Sequence, residues 1–352
     1  MATYDFIFDR LGLGDWCGER VTGDAPMTMA ELLAGGKSQN PEAGLSWSDV
    51  WNVPFPSMDA LNEACPSFAR TRDMTRGVED AFLAVKDGLK VVLDPLTQPL
   101  SWLLDGALYV SHATPWWIMI PVLLLLTFWA SRSLRLVGFV CMTLGFLGFI
   151  DHFNYAMETL SIIFVCAALC VVLGVPIGIA MSRNDRLQRI MIPILDMLQT
   201  LPTFVYLIPL IFLFSVTEAK LYGIAIILYA IVPVVRLTDL GIRLVDKEVI
   251  EAGHAYGMTK RQMLFGVEIP LALPNIMAGV NQTIMMSLAM VVIASLVSAP
   301  GLGVLVLRGI RNLELGVGLI AGLGIVLLAV ILDRVTKAAL ARVNAASAVP
   351  RH

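Results

Sequence analysis

The sequence predicts an all-α membrane protein, a polytopic bundle of about seven transmembrane helices. Of its 352 residues, 57% are hydrophobic and only 15% are charged, whereas a soluble domain carries about 25% charged residues. The mean hydropathy is +0.76. Seven apolar segments follow residue 114, and the basic residues between them alternate along the chain. These observations indicate an integral membrane protein.

The first 75 residues form an acidic head that differs in composition from the rest. They are rich in Gly, Pro, Asp, Ser and Asn, which predicts mostly irregular structure. Residues 1–114 carry a net charge of −8, and residues 115–352 carry +5. The chain starts without the basic region and apolar core of a signal peptide. Cys17 and Cys65 can pair if the head faces an oxidising compartment, although the sequence does not show that they are close.

Residues 76–112 predict a pair of amphipathic helices. Apolar residues recur at helical spacing opposite charged ones, which is the pattern of a helix with one apolar face. They are Phe82, Val85, Leu89 and Val92. The first helix is expected to break near Pro95 and to be followed by a second short one. Such helices are typical of the membrane surface, although a small soluble helical pair gives the same pattern.

The seven apolar segments predict the membrane helices. They are residues 115–131, 134–150, 159–181, 190–214, 221–240, 275–299 and 315–333. A spanning helix needs about 20 residues and at least ~17. The second segment is close to that minimum.

The Lys and Arg residues beside these segments predict an orientation in the inner (plasma) membrane. Cytoplasmic flanks carry an excess of Lys and Arg. Basic residues follow the first, third, fifth and seventh segments, and the intervening turns have few. The N-terminus is therefore expected outside and the C-terminus in the cytoplasm, with the first segment acting as a reversed anchor. Residues 300–314 depart from this rule because they carry Arg308 and Arg311, and we interpret them as re-entrant.

A polar stretch, EAGHAYGMTKRQMLFGVEIP (residues 251–270), lies in the longest loop between the apolar segments. It predicts a short helix that ends at Gly257, since Gly adopts the left-handed geometry of a helix end. Thr259 followed by Gln262 is a capping-box pattern that starts a second helix. That helix is expected to stop before Pro270.

The second predicted helix has one apolar face, formed by Met263 and Val267, whereas Lys260, Arg261 and Glu268 can stay in water. Two short helices joined by a Gly turn suit docking into a groove on a partner protein. The alternative is a structural loop that only caps the helical bundle.

This stretch resembles the EAA loop of ABC importer permeases, whose motif reads EAA-x3-G-x9-I-x-L-P. The corresponding positions are Glu251, Ala252, Gly253, Gly257, Val267, Ile269 and Pro270. The departures are mild: Val267 stands where Ile is usual, Ile269 where Leu is usual and Gly253 where Ala is usual. Further stretches, such as DMLQTLPTFVYLIPLIFLF (196–214), resemble the permease subunit of glycine betaine/proline betaine importers over about residues 155–340.

The resemblance implies the fold of the type I ABC importer permease class, with an acidic N-terminal extension. It implies two accessory membrane helices in residues 113–152, a core permease domain in residues 153–340 and a tail in residues 341–352. The segment 241–275 would be the coupling loop, which sits in a cleft of a cytoplasmic ATPase. The implied partners are two copies of that ATPase, an external substrate-binding protein, a second permease copy and membrane lipid. Nucleic acid is not expected among them.

The implied function is import of a quaternary ammonium or betaine-type osmolyte, namely glycine betaine, proline betaine, choline or a sulfonium analogue. The chain is not expected to be an enzyme, since it contains no G-x4-G-K-[ST] phosphate loop. ATP and Mg are therefore expected on the partner ATPase, and no cofactor is expected in this chain. Its four His are scattered and its five Cys follow no metal spacing, so no metal site is expected either.

Polar and aromatic residues inside the apolar segments are candidates for the translocation path, because such residues are costly when they face lipid. They are Gln199, Thr200, Phe204, Tyr206, Asn281, Gln282, Thr283, Met285 and Met286. Aromatic faces attract a quaternary ammonium through cation–π interaction, worth ~2 kcal/mol or more when desolvated. Interhelical hydrogen bonding and packing are the alternative roles, and they are favoured for any single residue.

Three other functions stay open. An ABC permease for another amino-acid-like solute fits the same residues. A secondary transporter driven by an ion gradient needs membrane-embedded carboxylates, but Asp196, Asp239 and Glu158 lie near segment ends. Asp196 and Asp239 are instead expected to be salt-bridge partners within the bundle. A membrane scaffold or regulator would use the acidic head as its working part.

Overall fold

The computed structural model describes Cys17, Phe55 and residues 57–347, which contain helices and no strand. Numbered in chain order within this part, the α-helices are α1 (Met58–Ala64), α2 (Thr71–Ala113), α3 (Trp116–Ser131), α4 (Leu134–Phe149), α5 (Phe153–Arg183), α6 (Asp185–Thr200), α7 (Leu207–Leu213), α8 (Ala219–Arg243), α9 (Lys247–Ala255), α10 (Lys260–Met263), α11 (Ile269–Ala294), α12 (Leu302–Arg311) and α13 (Leu315–Ser347). Residues Leu264–Glu268 form a π turn, and Thr203–Tyr206 and Ser295–Val297 form 3₁₀ turns. The chain divides into two compact units, Met1–Leu89 and Lys90–His352.

The first unit contains a disulfide bond between Cys17 and Cys65, whose Cα atoms lie 4.8 Å apart. This pairing was left open by the sequence. α1 follows Ser57, whose Oγ accepts a hydrogen bond from Ala60 N at 3.2 Å. Most of the head that was predicted to be irregular lies outside the described residues.

α2 is one helix of 43 residues that runs through Pro95 and Pro99. The predicted break near Pro95, and with it the second short helix, is therefore wrong. A proline inside a helix costs about 3 kcal/mol, whereas each fully buried Leu contributes about 1.5–3 kcal/mol. Leu100 and Leu104 are both buried in the main core of the second unit, which offsets much of the cost. This part of α2 belongs to a helical core and does not lie wholly on a membrane surface.

An ion pair between the buried Lys220 and Asp94 links the same part of α2 to α8. Lys220, in the first turn of α8, is only 4% exposed. Its Nζ lies 2.7 Å from Asp94 Oδ1 and 5.2 Å from the centre of the Phe214 ring. The carboxylate and the aromatic face together stabilise an ammonium group that burial alone would disfavour.

The second unit is built around α8, which packs against both α5 and α11. Glycines let these backbones approach closely, as is common between membrane helices. A Cβ atom on Gly178 of α5 would lie 2.7 Å from Val235 O, and one on Gly279 of α11 would lie 3.0 Å from Val234 Cα. These contacts fix the register of the three helices.

A Gly178→Ala variant is expected to be less stable than the wild type. Its new Cβ would lie 2.6 Å from Thr238 Cβ and 2.7 Å from a backbone carbonyl, and overpacking of this kind costs about 1–3 kcal/mol. Gly138→Ala in α4 is the matched control, since a Cβ there meets nothing within 4 Å. In thermal unfolding of the purified variants, only Gly178→Ala should have a lower midpoint temperature than the wild type. Equal midpoints for the two variants would contradict the close contact between α5 and α8.

Four described stretches are long and apolar enough to cross a membrane, namely Phe153–Arg183, Ala219–Arg243, Lys260–Val297 and Leu315–Arg342. Two further helix pairs meet the combined requirements of length and apolar composition only when each pair is taken together. α2 and α3 bend by 116° relative to each other, and α6 bends by 105° relative to Thr203–Leu213. By length and composition the described helices thus give four to six candidate spans, against the seven predicted, and α4 is a shorter apolar helix.

The predicted membrane segment 190–214 is therefore not one straight helix. α6 ends at Thr200, and Leu201 is extended. The physical reason is Pro202, since a proline disfavours helical geometry in the residue before it. The polypeptide resumes as a 3₁₀ turn and α7 in a new direction.

The 300–314 region contains the ten-residue helix α12. Leu302 and Leu305 are buried, whereas Arg308 and Arg311 are exposed. Leu302 N donates a hydrogen bond to Thr159 Oγ1 of α5 at 2.9 Å. One face of α12 thus packs on the bundle while its charged face stays open.

Candidate functional site

The 241–275 segment begins with α9, a helix that is capped at both ends. Asp246 Oδ1 accepts a hydrogen bond from Glu248 N at 3.0 Å at the start. At the end, Gly257 N donates to His254 O at 2.9 Å and Met258 N donates to Gly253 O at 3.1 Å. Gly257 has a φ of +77°. This is the Schellman ending that the sequence predicted for Gly257.

Gly253 is one of the three departures from the EAA pattern, and its surroundings explain why a glycine stands there. The residue is buried, and a Cβ atom there would lie 3.0 Å from Met263 Sδ and 3.3 Å from Met258 Sδ. Met263 is only 1% exposed. The missing Cβ makes room for the Met263 side chain, which closes α9 onto α10.

α10 begins with the predicted capping box. Thr259 N donates to Gln262 Oε1 at 2.9 Å, and Gln262 N donates to Thr259 Oγ1 at 3.4 Å. The prediction that this helix stops before Pro270 is wrong, because the chain continues through the π turn into α11. Pro270 falls in the first turn of α11, where a missing N–H is tolerated, and the π turn shifts the hydrogen-bond register just before it.

The solvent-exposed face of the 241–275 segment is partly aromatic. Tyr256 is 90% exposed and Phe265 is 60% exposed. They border a groove of about 590 Å³, whose other lining residues are Gly257, Met258, Gln262 and Gly266. Of the motif positions, Glu251, Ala252, Gly257 and Pro270 are exposed, Val267 and Ile269 are half-buried and Gly253 is buried. A capped helix pair with two exposed aromatic rings has the properties of a protein-docking surface.

Glu268 anchors the segment to a second helix. It lies in the π turn, is 3% exposed, and its carboxylate pairs with Arg183 Nη2 at the end of α5. The expectation that Glu268 stays in water is wrong, because Arg183 supplies the opposite charge that makes burial tolerable. The two residues are 85 positions apart in the chain, so local sequence patterns do not reveal the pair.

A network of charges holds the end of α8, where the segment starts. Asp239 accepts hydrogen bonds from Arg243 Nε at 3.0 Å and from Gln188 Nε2 at 2.7 Å. Arg243 also pairs with Asp185 at 2.8 Å. Asp196 of α6 forms a further ion pair with Arg236 of α8. The prediction that Asp196 and Asp239 are salt-bridge partners is confirmed.

Among the candidate path residues on α11, Asn281 is bonded to another helix. Asn281 Nδ2 donates to Asp333 Oδ1 of α13 at 3.1 Å, and Thr336 Oγ1 donates to Asn281 Oδ1. Asn281 thus makes the interhelical hydrogen bonds that were its alternative role. Gln282 is exposed and Met285 is half-buried.

The other candidates flank the bend at Pro202. Gln199 is half-buried, and its Nε2 lies 4.0 Å from Met286 Sδ of α11. Thr200 is exposed and its hydroxyl donates to Met197 O at 3.3 Å. Phe204 is 57% exposed. Tyr206 is buried, and within the described chain its hydroxyl has no hydrogen-bond partner.

Ser287 extends this candidate set, beside the candidate Thr283. Thr283 and Ser287 lie one turn apart on α11, and neither hydroxyl has a hydrogen-bond partner within the described part of the chain. Sequence reasoning did not single out Ser287. The available signal was the four-residue spacing of two hydroxyls on one face of an apolar helix.

Residues 170–345 match the family described as "Binding-protein-dependent transport system inner membrane component". The chain belongs to this family. The match begins within α5 and contains the whole 241–275 segment, whereas α2, α3 and α4 precede it. As a family member, the chain is a multi-pass inner-membrane component of a transport system.

Two relatives of this inner-membrane component are named as permease proteins of transport systems. It is 37% identical to the glycine betaine/proline betaine transport system permease protein of Escherichia coli K12, over 84% of this chain and 82% of that protein. It is 38% identical to the glycine betaine transport system permease protein of Bacillus subtilis 168, over 73% and 86%. A solved structure of the MetNI methionine ABC transporter is 22% identical with a TM-score of 0.48, over 56% of this chain and 96% of that one.

Proposed function

We propose that the chain is the permease subunit of an ABC importer for a quaternary ammonium or betaine-type osmolyte, namely glycine betaine, proline betaine, choline or a sulfonium analogue. Family membership and the relatives named for glycine betaine transport support the cargo class. The observation that carries the coupling role is the capped, exposed helix pair that presents Glu251 and Gly257 at the EAA positions. Its partners are two ATPase subunits, an external binding protein and a second permease copy.

In the proposed mechanism the 241–275 segment receives the motion of the ATPase, which holds ATP and Mg. Closure of the ATPase pair moves α9 and α10. The π turn passes this motion directly to α11, and the Glu268–Arg183 pair passes it to α5. Since α8 packs against both helices, the three move as one layer and change the side from which the path is open.

The proposed path passes the bend at Pro202. A quaternary ammonium has no N–H to donate, so aromatic faces and weak dipoles suit it better than carboxylates. The groups that support this assignment are the exposed Phe204 ring and three hydroxyls without a hydrogen-bond partner among the described residues, those of Tyr206, Thr283 and Ser287. Asn281 contributes packing, because its amide is already bonded to α13.

The proposed orientation has the head outside the membrane. The Cys17–Cys65 bond supports it, since disulfides persist in oxidising compartments. We expect a membrane-impermeant maleimide to label Cys17 and Cys65 of the wild-type chain in intact cells only after the disulfide is reduced with a phosphine. A Cys65→Ser variant should be labelled at Cys17 without reduction. Labelling that requires cell lysis would place the head inside.

Uptake tests the proposed function. Cells that lack other osmolyte transporters would express the chain with its cognate ATPase and binding protein, and receive labelled glycine betaine, proline betaine, choline or a sulfonium analogue. We expect uptake of at least one solute that stops on ATP depletion and survives collapse of the proton gradient. The reverse dependence would identify a secondary transporter. Absence of uptake from an intact, ATP-hydrolysing complex would move the cargo to another amino-acid-like solute.

A further inference from the structure

An open cavity lies between the start of α4 and the C-terminal half of α13. Its volume is about 770 Å³. Neither the 241–275 segment nor the candidate path residues line it. Its walls combine basic side chains with apolar ones, and the residues that matter are Ser133, Arg135, Phe139, Val330, Arg334 and Lys337.

The cavity carries a net positive charge. Asp333 is the acidic residue in its lining, and its carboxylate is already engaged by Lys337 Nζ at 2.8 Å and Asn281 Nδ2 at 3.1 Å. Arg135 and Arg334 are exposed, and within the described part of the chain neither forms a direct ion pair, although the charge of Arg334 also acts on the Asp333 carboxylate. Two guanidinium groups from distant parts of the sequence therefore converge on one open space.

The N-terminus of α4 adds donors to the same place. Ser133 precedes this 16-residue helix, and its side chain makes no capping hydrogen bond. The first-turn N–H groups of a helix have no partner inside the helix, and its dipole favours an anion there. Guanidinium forks bind phosphate through two parallel hydrogen bonds. The donors and charges at this point all fit a phosphate group.

The remaining wall is apolar. Phe139 is one turn beyond Arg135 on α4, and Val330 is one turn before Arg334 on α13, so each arginine in the lining has an apolar neighbour one turn away on its own helix. A free inorganic anion gains nothing from such a surface. An amphiphile with a phosphate head and hydrocarbon chains fits both parts of the cavity.

We propose that this cavity binds an anionic phospholipid, with its phosphate at Arg135, Arg334 and the N-terminus of α4 and an acyl chain along Phe139 and Val330. The bound lipid bridges α4, which precedes the family match, to α13, which lies mostly inside it. No candidate path residue lines the cavity, although Asn281 donates a hydrogen bond to the Asp333 carboxylate in its wall.

Native mass spectrometry of the purified full-length chain tests the site, with phosphatidylglycerol and phosphatidylcholine as probes. We expect wild-type protein to retain phosphatidylglycerol about tenfold better, and Arg135→Gln with Arg334→Gln to lose that preference. Arg186→Gln with Arg189→Gln is the matched control. It removes the same charge from exposed positions on α6 outside the cavity, and it should keep the preference.

Two results would overturn the proposal. One is equal phosphatidylglycerol retention by the cavity variant and the control. The other is release of the lipid preference by millimolar inorganic phosphate, which would make this a free-anion site. If the double variant fails to fold, as judged by its thermal midpoint in phosphatidylcholine, Arg135→Gln and the charge-preserving Arg135→Lys replace it. Only the Gln variant should then lose the preference.

Discussion

Substitution of Gly257 by Val should reduce ATP-dependent uptake by about tenfold or more while the protein still reaches the membrane. Gly257 adopts a φ of +77°, and an L-residue in left-handed geometry costs about 1–2 kcal/mol, with β-branched residues worst. A tenfold effect corresponds to about 1.4 kcal/mol. Nothing lies within 4 Å of a Cβ at this position, so the expected loss comes from the backbone and not from a clash.

Gly257→Asn is the control for this prediction, because Asn visits left-handed geometry more readily than other L-residues. It should keep most of the uptake. Membrane fractions, probed for the chain and for bound ATPase, should show normal amounts of Gly257→Val permease with less ATPase attached. Normal uptake by Gly257→Val would contradict a coupling role for this turn. Equal loss in both variants would indicate that the glycine is needed for access by the partner and not for its φ.

The Arg183–Glu268 pair should respond unequally to removal of its two members. The Glu268 side chain is 4% exposed, whereas that of Arg183 is 41% exposed. Arg183→Met leaves a buried carboxylate without its partner, which costs about 3–5 kcal/mol. Glu268→Gln leaves an arginine that water can reach, so the expected cost is about 1 kcal/mol.

Thermal unfolding of the purified chain measures this order, with the wild type most stable, then Glu268→Gln, then Arg183→Met. The double variant Arg183→Met with Glu268→Gln should recover much of the loss of Arg183→Met, because no buried charge is left without a partner. Equal losses for the two single variants, or no recovery in the double, would contradict the burial of Glu268. In the complex, Glu268→Gln should also lower the solute imported per ATP hydrolysed, which a purely stabilising pair would leave unchanged.

Local features of the functional segment could be read from the sequence. The turn at Gly257 and the capping box of Thr259 and Gln262 depend on residues within a few positions of each other, so a short stretch contains the needed information. The charged roles of Asp196 and Asp239 followed from their place at segment ends, and the structure confirms them.

The errors arise where distant contacts decide the outcome. The two prolines of α2 stay inside a helix because Leu100 and Leu104 pack against parts of the chain far away in sequence. Pro270 begins a helix because the π turn before it resets the hydrogen bonds. Glu268 is buried because Arg183 is near in space only. Local propensity contains none of these interactions, and tertiary packing overrides it.

The candidate path was the least predictable part. Polar residue types inside apolar segments identified Asn281 and Tyr206 alike. Asn281 is hydrogen-bonded to α13. Tyr206 has a buried hydroxyl that lacks a hydrogen-bond partner among the described residues. Residue type alone does not separate a group that holds helices together from one that is left for a passing solute.

The π turn joins α10 to α11 without a break, so the two form one continuous helical stretch. The continuous stretch Lys260–Val297 has 38 residues. At 1.5 Å per residue it is roughly 55 Å long, so a tilt of about 5° at one end displaces the other by about 5 Å. A flexible joint before Pro270 would have absorbed that tilt near the partner. Without one, in the proposed mechanism, a small rotation that the ATPase imposes at Lys260 would displace the far end of this stretch by several times as much as the near end.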